Sequence, residues 1–426
     1  MKKDIKYQSG FGSFFESESE AGSLPEGRNS PQKPLKGLYP EQLSGSAFTM
    51  KRPENLRTWL YRVQPSVVLK PFIPYGHKYW TSLVVDDGET PPHPLRWAPY
   101  PGSQGVDFID GLRTMVANGV PEGSAVHVYG FDQPMTDKYF YNSDGEMILI
   151  PVENEILVST EMGYLLVAPV EIAVIPRGIK FKVEAVHSGE FCRGYVGENL
   201  GAPLRLPDLG PIGSNGLANP RDFKFPVAAY KYESKKCLLV TKYQNRLWSS
   251  EIDHSPLDVV AWHGNYSPYK YNLESFNTLG TISYDHPDPS IFTVLTSPSA
   301  VPGKANMDFV IFPPRWLVGE NTFRPPYYHR NVMSECMGLI KGVYDAKQGG
   351  FSPGGMSVHN CMVPHGPDAE TFSKELERVE QPQKVADTMA FMFESSLVYN
   401  TTRFAREDAV LDNDYWTCWQ GLKALR

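Results

Sequence analysis

Apolar positions along the 426-residue chain gather in short strand-like runs broken by turn residues. Between about 124 and 196 the runs Ala125 to Tyr129, Glu146 to Ile150, Ile156 to Thr160, Tyr164 to Ala168, Glu171 to Ile175 and Lys180 to Val186 follow closely on one another. Met162-Gly163 and Pro176-Arg177-Gly178 punctuate them, and this spacing predicts a sandwich or jelly roll. Strand-like runs resume at Ser290 to Leu295, Asp308 to Phe312, Cys336 to Tyr344 and Met389 to Phe393, a second β region. Helical periodicity is scarce, and Asp368 to Arg378 is the best candidate. The first fifty or so residues carry many breakers, as in Ser9-Gly10-Phe11-Gly12, and read as an arm that packs on something else. A long aperiodic stretch from Leu206 to Phe223 reads as a functional or interfacial loop.

Composition sharpens this picture. With 36 Gly, 37 Pro, 23 Tyr, 22 Phe and 8 Trp, breakers and β-favouring aromatics are both plentiful. The expectation is all-β: an arm over 1–55, a first β domain over 56–279 and a second over 280–426. A net charge of −7 without a long Lys/Arg run argues against nucleic acid as partner. No window offers an uninterrupted apolar stretch long enough to span a membrane, and the start of the chain is polar, so the expectation is a cytoplasmic protein acting on a small molecule. The five cysteines (Cys192, Cys237, Cys336, Cys361 and Cys418) have neither zinc nor disulfide-framework spacing. They read as small buried hydrophobes.

Candidate chemistry lies in the second region. His329 and Glu335 follow a Pro-Pro turn, and His365 lies downstream. Two histidines and one carboxylate form the ligand set of non-heme Fe(II) oxygenases, which leaves sites on an octahedral ion for substrate and O2. On pattern alone, ordinary polar residues in a Pro-rich loop are the alternative. His329, Asn331 and Glu335 share parity, but a straight strand would hold His329 and Glu335 about 20 Å apart. Ligation therefore requires the chain to bend between them. His263 reads as a loop histidine and His127 as a structural one.

The pattern His-x-Asn-x-x-x-Glu at 329–335, with Gly342 beyond it, resembles the first cupin motif, with Asn331 in the place of its second histidine. Tyr139, Tyr141 and Glu146, and Pro176, Gly178 and Phe181, echo the motifs faintly, as in a duplicated region that has lost its metal. A more specific resemblance runs along nearly the whole chain. The segments SGSAFT after Leu43, LGPIGSNGLANPRDF after Asp208, VAWHGNYSPYKYNL after Val259 and HPDPSIFTVLT after Asp285 are similar to the homogentisate 1,2-dioxygenase family. So are FVIFPPRW after Asp308, RPPYYHRN after Phe323, KQGGFSPGG after Ala346, HGPD after Pro364 and AFMFESSL after Met389. Departures are Cys336 after the ligand glutamate, Met356 in a Gly-rich run and a short C-terminal tail.

The resemblance implies two cupin-like jelly-roll regions and Fe(II) held by His329, Glu335 and His365. It also implies a proton-handling His286, whose imidazole titrates near neutral pH, and a substrate-contacting Tyr344. His359 is expected to orient ligand or substrate, Arg324 to pair with an acidic substrate group, and Asn331 and His365 to lie against the substrate. The implied partners are a small aromatic acid and O2, the implied reaction is ring opening of homogentisate to maleylacetoacetate, and the implied assembly is a homohexamer, a dimer of trimers. The competing readings are a gentisate-type cupin dioxygenase, a zinc enzyme with the same ligands, and a cupin binding or storage protein without metal.

Overall fold

The computed structural model describes residues 5–80, 90–119, 122–210, 217–280, 283–317, 320–344 and 351–426. The chain is all-β, with two regions of sheet. Among the described residues one α-helix, Ala369–Leu376, interrupts the strands. Asp368 starts it, its side chain accepting the Thr371 N–H at 2.7 Å, which satisfies one of the orphan donors of a first turn.

A nine-stranded and a seven-stranded sheet build the first region. The centre of the nine-stranded sheet is Glu146–Glu153, Cys192–Asn199 and Ser124–Phe131, paired antiparallel. Both of its faces are covered: Ile148 and Val126 on one and Val196 on the other are fully buried. The strands predicted for this region are all present, several of them one to three residues longer or shorter than expected. The segment read as an arm contributes three strands of its own. Tyr7–Ser9 pairs with Lys224–Pro226, Phe15–Glu18 with Val259–Gly264, and Tyr39–Ser44 with Arg57–Arg62. Its breakers separate strands that are very short or, over 39–44, without a buried position.

The second region is a six-stranded sheet ordered Thr293–Pro298, Ala305–Phe312, Met389–Ser395, Ser334–Lys341, Met356–His359 and Leu95–Trp97. Ser290 to Leu295, expected as one strand, starts instead as a 3₁₀ turn over Pro289–Phe292, because Pro287 and Pro289 preset turn geometry there. Strand exchange crosses the expected boundary at 279/280. Leu95–Trp97 supplies the edge beside Met356–His359, and Asn400–Thr401 joins the nine-stranded sheet beside Leu112–Ala117. Phe391 packs edge-on against Tyr195 with ring centroids 4.9 Å apart. A Cβ added at Gly197 would lie 2.3 Å from the Phe393 ring. The two regions therefore share one continuous core.

Candidate metal centre

The bend that the sequence demands is built by Asn331. Its side-chain oxygen accepts the Met333 N–H at 3.0 Å, a local turn two residues on, and the strand proper begins only at Ser334. On the near side of the bend, His329 pairs with His365 through two backbone hydrogen bonds of 3.0 and 3.1 Å. Glu335 thus returns toward both histidines. Its carboxylate lies 3.7 Å from His329 Nε2 and 3.0 Å from His365 Nε2, and one ligand atom from each of the three falls within 4.8 Å of the others.

Each histidine is oriented by the same device. His329 Nδ1 donates to the Tyr327 carbonyl at 2.8 Å, and His365 Nδ1 donates to the Val363 carbonyl at 2.9 Å. A carbonyl only accepts, so Nδ1 carries a proton in each ring and it is Nε2 that faces Glu335. This is the usual preparation of a metal-binding histidine. Burial pushes the Glu335 carboxyl up, but hydrogen bonds from His329 and His365 outweigh it and hold the group well below the usual carboxylate range. Two imidazole nitrogens and one carboxylate, converging and already oriented, fit a divalent first-row metal.

A cavity of about 520 Å³ opens onto this cluster, lined by His329 and Glu335 together with His286, Arg315, Arg324 and Phe292. That volume suits a small organic ligand. His286 Nε2 donates to the Phe323 carbonyl at 3.0 Å, which leaves Nδ1 as its basic nitrogen when the ring is neutral. Arg324 is 3% exposed, and its Nη1 donates to Gln383 Oε1 at 3.2 Å. Asn331 also lines the cavity, but its amide is engaged, donating to Glu335 Oε1 at 3.2 Å and to Glu394 Oε1 at 2.9 Å.

Other expected contacts lie elsewhere. His365 faces Glu335 and is not on this cavity wall. His359, opposite Glu335 across the strand pair, stacks flat on the His365 ring at 4.2 Å and 12°. Tyr344 packs behind Phe312, with centroids 5.9 Å apart, and it is Phe312 that reaches the cavity. Residues 345–350 next to it, with the first part of the matching Gly-rich run, lie outside the described residues. Cys192, Cys237 and Cys336 are buried, Cys361 and Cys418 are half-buried, and none of the five forms a disulfide. His127 is fully buried between Thr114 and Glu198, and His263 meets the Tyr61 hydroxyl.

Sequence reasoning did not single out Asp308 and Glu394. They face each other across neighbouring strands, Glu394 in turn faces Glu335, and all three line the cavity. Burial, and then the Glu335 and Asp308 charges, push the Glu394 carboxyl up to about 8, while burial pushes Asp308 up to about 6. The available signal was an acidic residue abutting an apolar run, Asp308 before Phe-Val-Ile-Phe and Glu394 after Met-Ala-Phe-Met-Phe. A lone carboxylate there implies a built environment.

Residues 6–273 match the N-terminal region of homogentisate 1,2-dioxygenase, and residues 274–426 match its C-terminal region. A homogentisate 1,2-dioxygenase of Pseudomonas fluorescens is 56% identical over 422 residues, covering 98% of this chain and 96% of the relative. Among solved structures, a cupin 2 conserved barrel domain protein from Leptotrichia buccalis is 11% identical with a TM-score of 0.28, covering 67% of this chain and 88% of that one. A salicylate 1,2-dioxygenase from Pseudaminobacter salicylatoxidans is 10% identical with a TM-score of 0.31, covering 68% and 80%. With both regions matched in order and more than half of all positions identical to a full-length relative, the chain belongs to the homogentisate 1,2-dioxygenase family.

Proposed function

We propose that this chain opens the aromatic ring of homogentisate with O2 to give maleylacetoacetate, at an Fe(II) centre held by His329, Glu335 and His365. The observation that carries the reading is the convergence of two pre-oriented Nε2 atoms and one carboxylate within 4.8 Å, at the end of a cavity sized for a small aromatic acid. Fe(II), when bound, brings the deprotonated substrate and O2 together and relieves the spin barrier between them.

The chain's own groups have separate tasks. His286, with Nε2 committed to the Phe323 carbonyl, takes the proton of a ring hydroxyl on Nδ1, as a general base does. Arg324 offers its guanidinium to the substrate's side-chain carboxylate from a fixed position on the cavity wall. Asn331 holds Glu335 Oε1 in place, and the apolar faces of Phe292 and Phe312 limit water around the ring. Tyr344 contributes through Phe312 in the conformation described. The family likeness extends the proposal to tyrosine and phenylalanine breakdown in the cytoplasm by a homohexamer, a dimer of trimers, whose mass light scattering would measure.

The test is metal analysis of single-ligand variants purified without oxygen and reloaded with Fe(II). His329→Ala, Glu335→Ala and His365→Ala are each expected to lose stoichiometric iron and all measurable turnover. Full iron with normal turnover in any one of them removes that residue from the centre, and zinc retained in preference to iron, with no oxygenase activity, removes the reaction.

A further inference from the structure

The segment at 410–419 is fastened to the back of the metal centre. Ala98 N–H donates to the Val410 carbonyl at 2.9 Å and Asp412 N–H to the Arg96 carbonyl at 2.8 Å, so this segment extends the sheet beyond its edge strand Leu95–Trp97. Arg96 Nε donates to Asp412 Oδ2 at 2.9 Å, and the same guanidinium lies 4.3 Å from the centroid of the Tyr415 ring. Farther on, Trp419 Nε1 donates to the carbonyl of Gly366, the neighbour of His365, at 3.2 Å. Tyr415 is 2% exposed, held between a cation and the Trp419 ring, whose centroid is 5.1 Å away.

The Tyr415 hydroxyl meets His359 Nε2 at 3.3 Å, and His359 lies flat on His365. The Val363 carbonyl fixes one nitrogen of His365 but does not by itself stop the ring from swinging about that hydrogen bond. A parallel imidazole at van der Waals distance does. The backbone of His359 is paired with Glu335, a second member of the centre, and the tilt of its ring is left to the side chains around it.

We propose that Tyr415 is a positioning residue for the metal centre, acting through His359 to hold the His365 imidazole at the angle that metal binding requires. This inference rests on the proposed His329, Glu335 and His365 centre. It assigns to the 410–419 segment, remote from the cavity, a share in metal affinity. The path runs from the Arg96 and Asp412 pair to the Tyr415 ring, the His359 ring and the His365 ring, every step a packed or hydrogen-bonded contact.

Full-length Tyr415→Phe removes one hydroxyl and little volume. Its Fe(II) dissociation constant, measured without oxygen by competition with a chelator, should rise roughly 10- to 100-fold, as for loss of other groups that orient a metal ligand. The visible absorption of the Co(II)-loaded protein should change shape, and the melting temperature of the metal-free protein should stay close to wild type. His359→Gln should weaken metal binding too, and the double variant should bind no worse than His359→Gln alone, because both act on one ring. Wild-type affinity and an unchanged Co(II) spectrum in Tyr415→Phe would overturn the proposal, as would additive losses in the double variant. His365→Ala in the same assay separates the two readings: metal retained there defeats the proposed centre itself, whereas metal lost there beside an unaffected Tyr415→Phe defeats only the brace.

Discussion

Glu335 is the residue on which the centre turns, because two imidazoles and one amide are all directed at its carboxylate. Its identity was legible from spacing and family likeness, as were His329 and His365; the role of Asn331 was not, since a side chain that makes a bend and orients a ligand looks in sequence like any polar residue near a motif. His286 carries the next expectation. His286→Gln should keep iron and slow ring opening by roughly 10² to 10⁴, the usual worth of a general base, and should shift or abolish the acid limb of the pH–rate profile. An iron-replete variant with wild-type rate and profile would take that role away. Glu394 carries a stability expectation for the metal-free protein. A carboxyl raised to about 8 in the folded state holds its proton there while the unfolded chain has released it, so unfolding releases protons between the ordinary carboxylate range and about 8. Stability from this group therefore falls as pH rises through that window. Melting curves of metal-free Glu394→Gln at about pH 5.5 and about pH 7.5 should show a smaller drop than wild type; an equal drop would mean that other groups set the slope.

Gly342 shows what a family motif means physically at the level of the strand. It follows Ser334–Lys341 at a φ of +75°, and a Cβ there would stand 2.1 Å from the Asp387 carbonyl oxygen. Only glycine both adopts that conformation and allows the neighbouring chain so close. Gly342→Ala should cost more than about 1 kcal/mol, since left-handed backbone strain adds to a clash with main chain, and denaturant unfolding would measure it. An unchanged midpoint would show that the turn yields easily. At this scale the central strands were readable because short apolar runs between turn residues mark strands buried on both faces. The strands at 7–9 and 15–18 were not, because three or four residues are too few for a period, nor was 39–44, whose positions are exposed or half-buried, and their pairing partners lie as far along the chain as residue 264. The 3₁₀ turn at Pro289–Phe292 was missed because an apolar run beside proline looks the same in either conformation.

Across the whole molecule, strands exchanged between the two regions, Leu95–Trp97 one way and Asn400–Thr401 the other, were invisible to a reading by composition and turns, which sees only local order. So was the ionic knot that ties the first strands to the sheets. Arg62 contacts Glu41 and Glu161, each at 2.9 Å, and Asp258 at 2.7 Å, and the side chains of Arg62, Glu161 and Asp258 are no more than 1% exposed. Arg62→Met leaves three carboxylates to share Lys180, so a loss of about 3–5 kcal/mol is expected. A variant as stable as wild type in thermal melts would mean that the carboxylates take up protons cheaply. The architecture serves the proposed reaction: His329 and Glu335 stand on a cavity that also bears His286 and Arg324, and His365 meets Glu335 from outside its wall. The most direct measurement of that claim is O2 consumption by the anaerobically purified, Fe(II)-loaded protein offered homogentisate beside gentisate and catechol. The account predicts uptake of one O2 per homogentisate, formation of maleylacetoacetate, and little uptake with the other two. Uptake with gentisate in preference to homogentisate, or none with any of the three by an iron-replete protein, would contradict it.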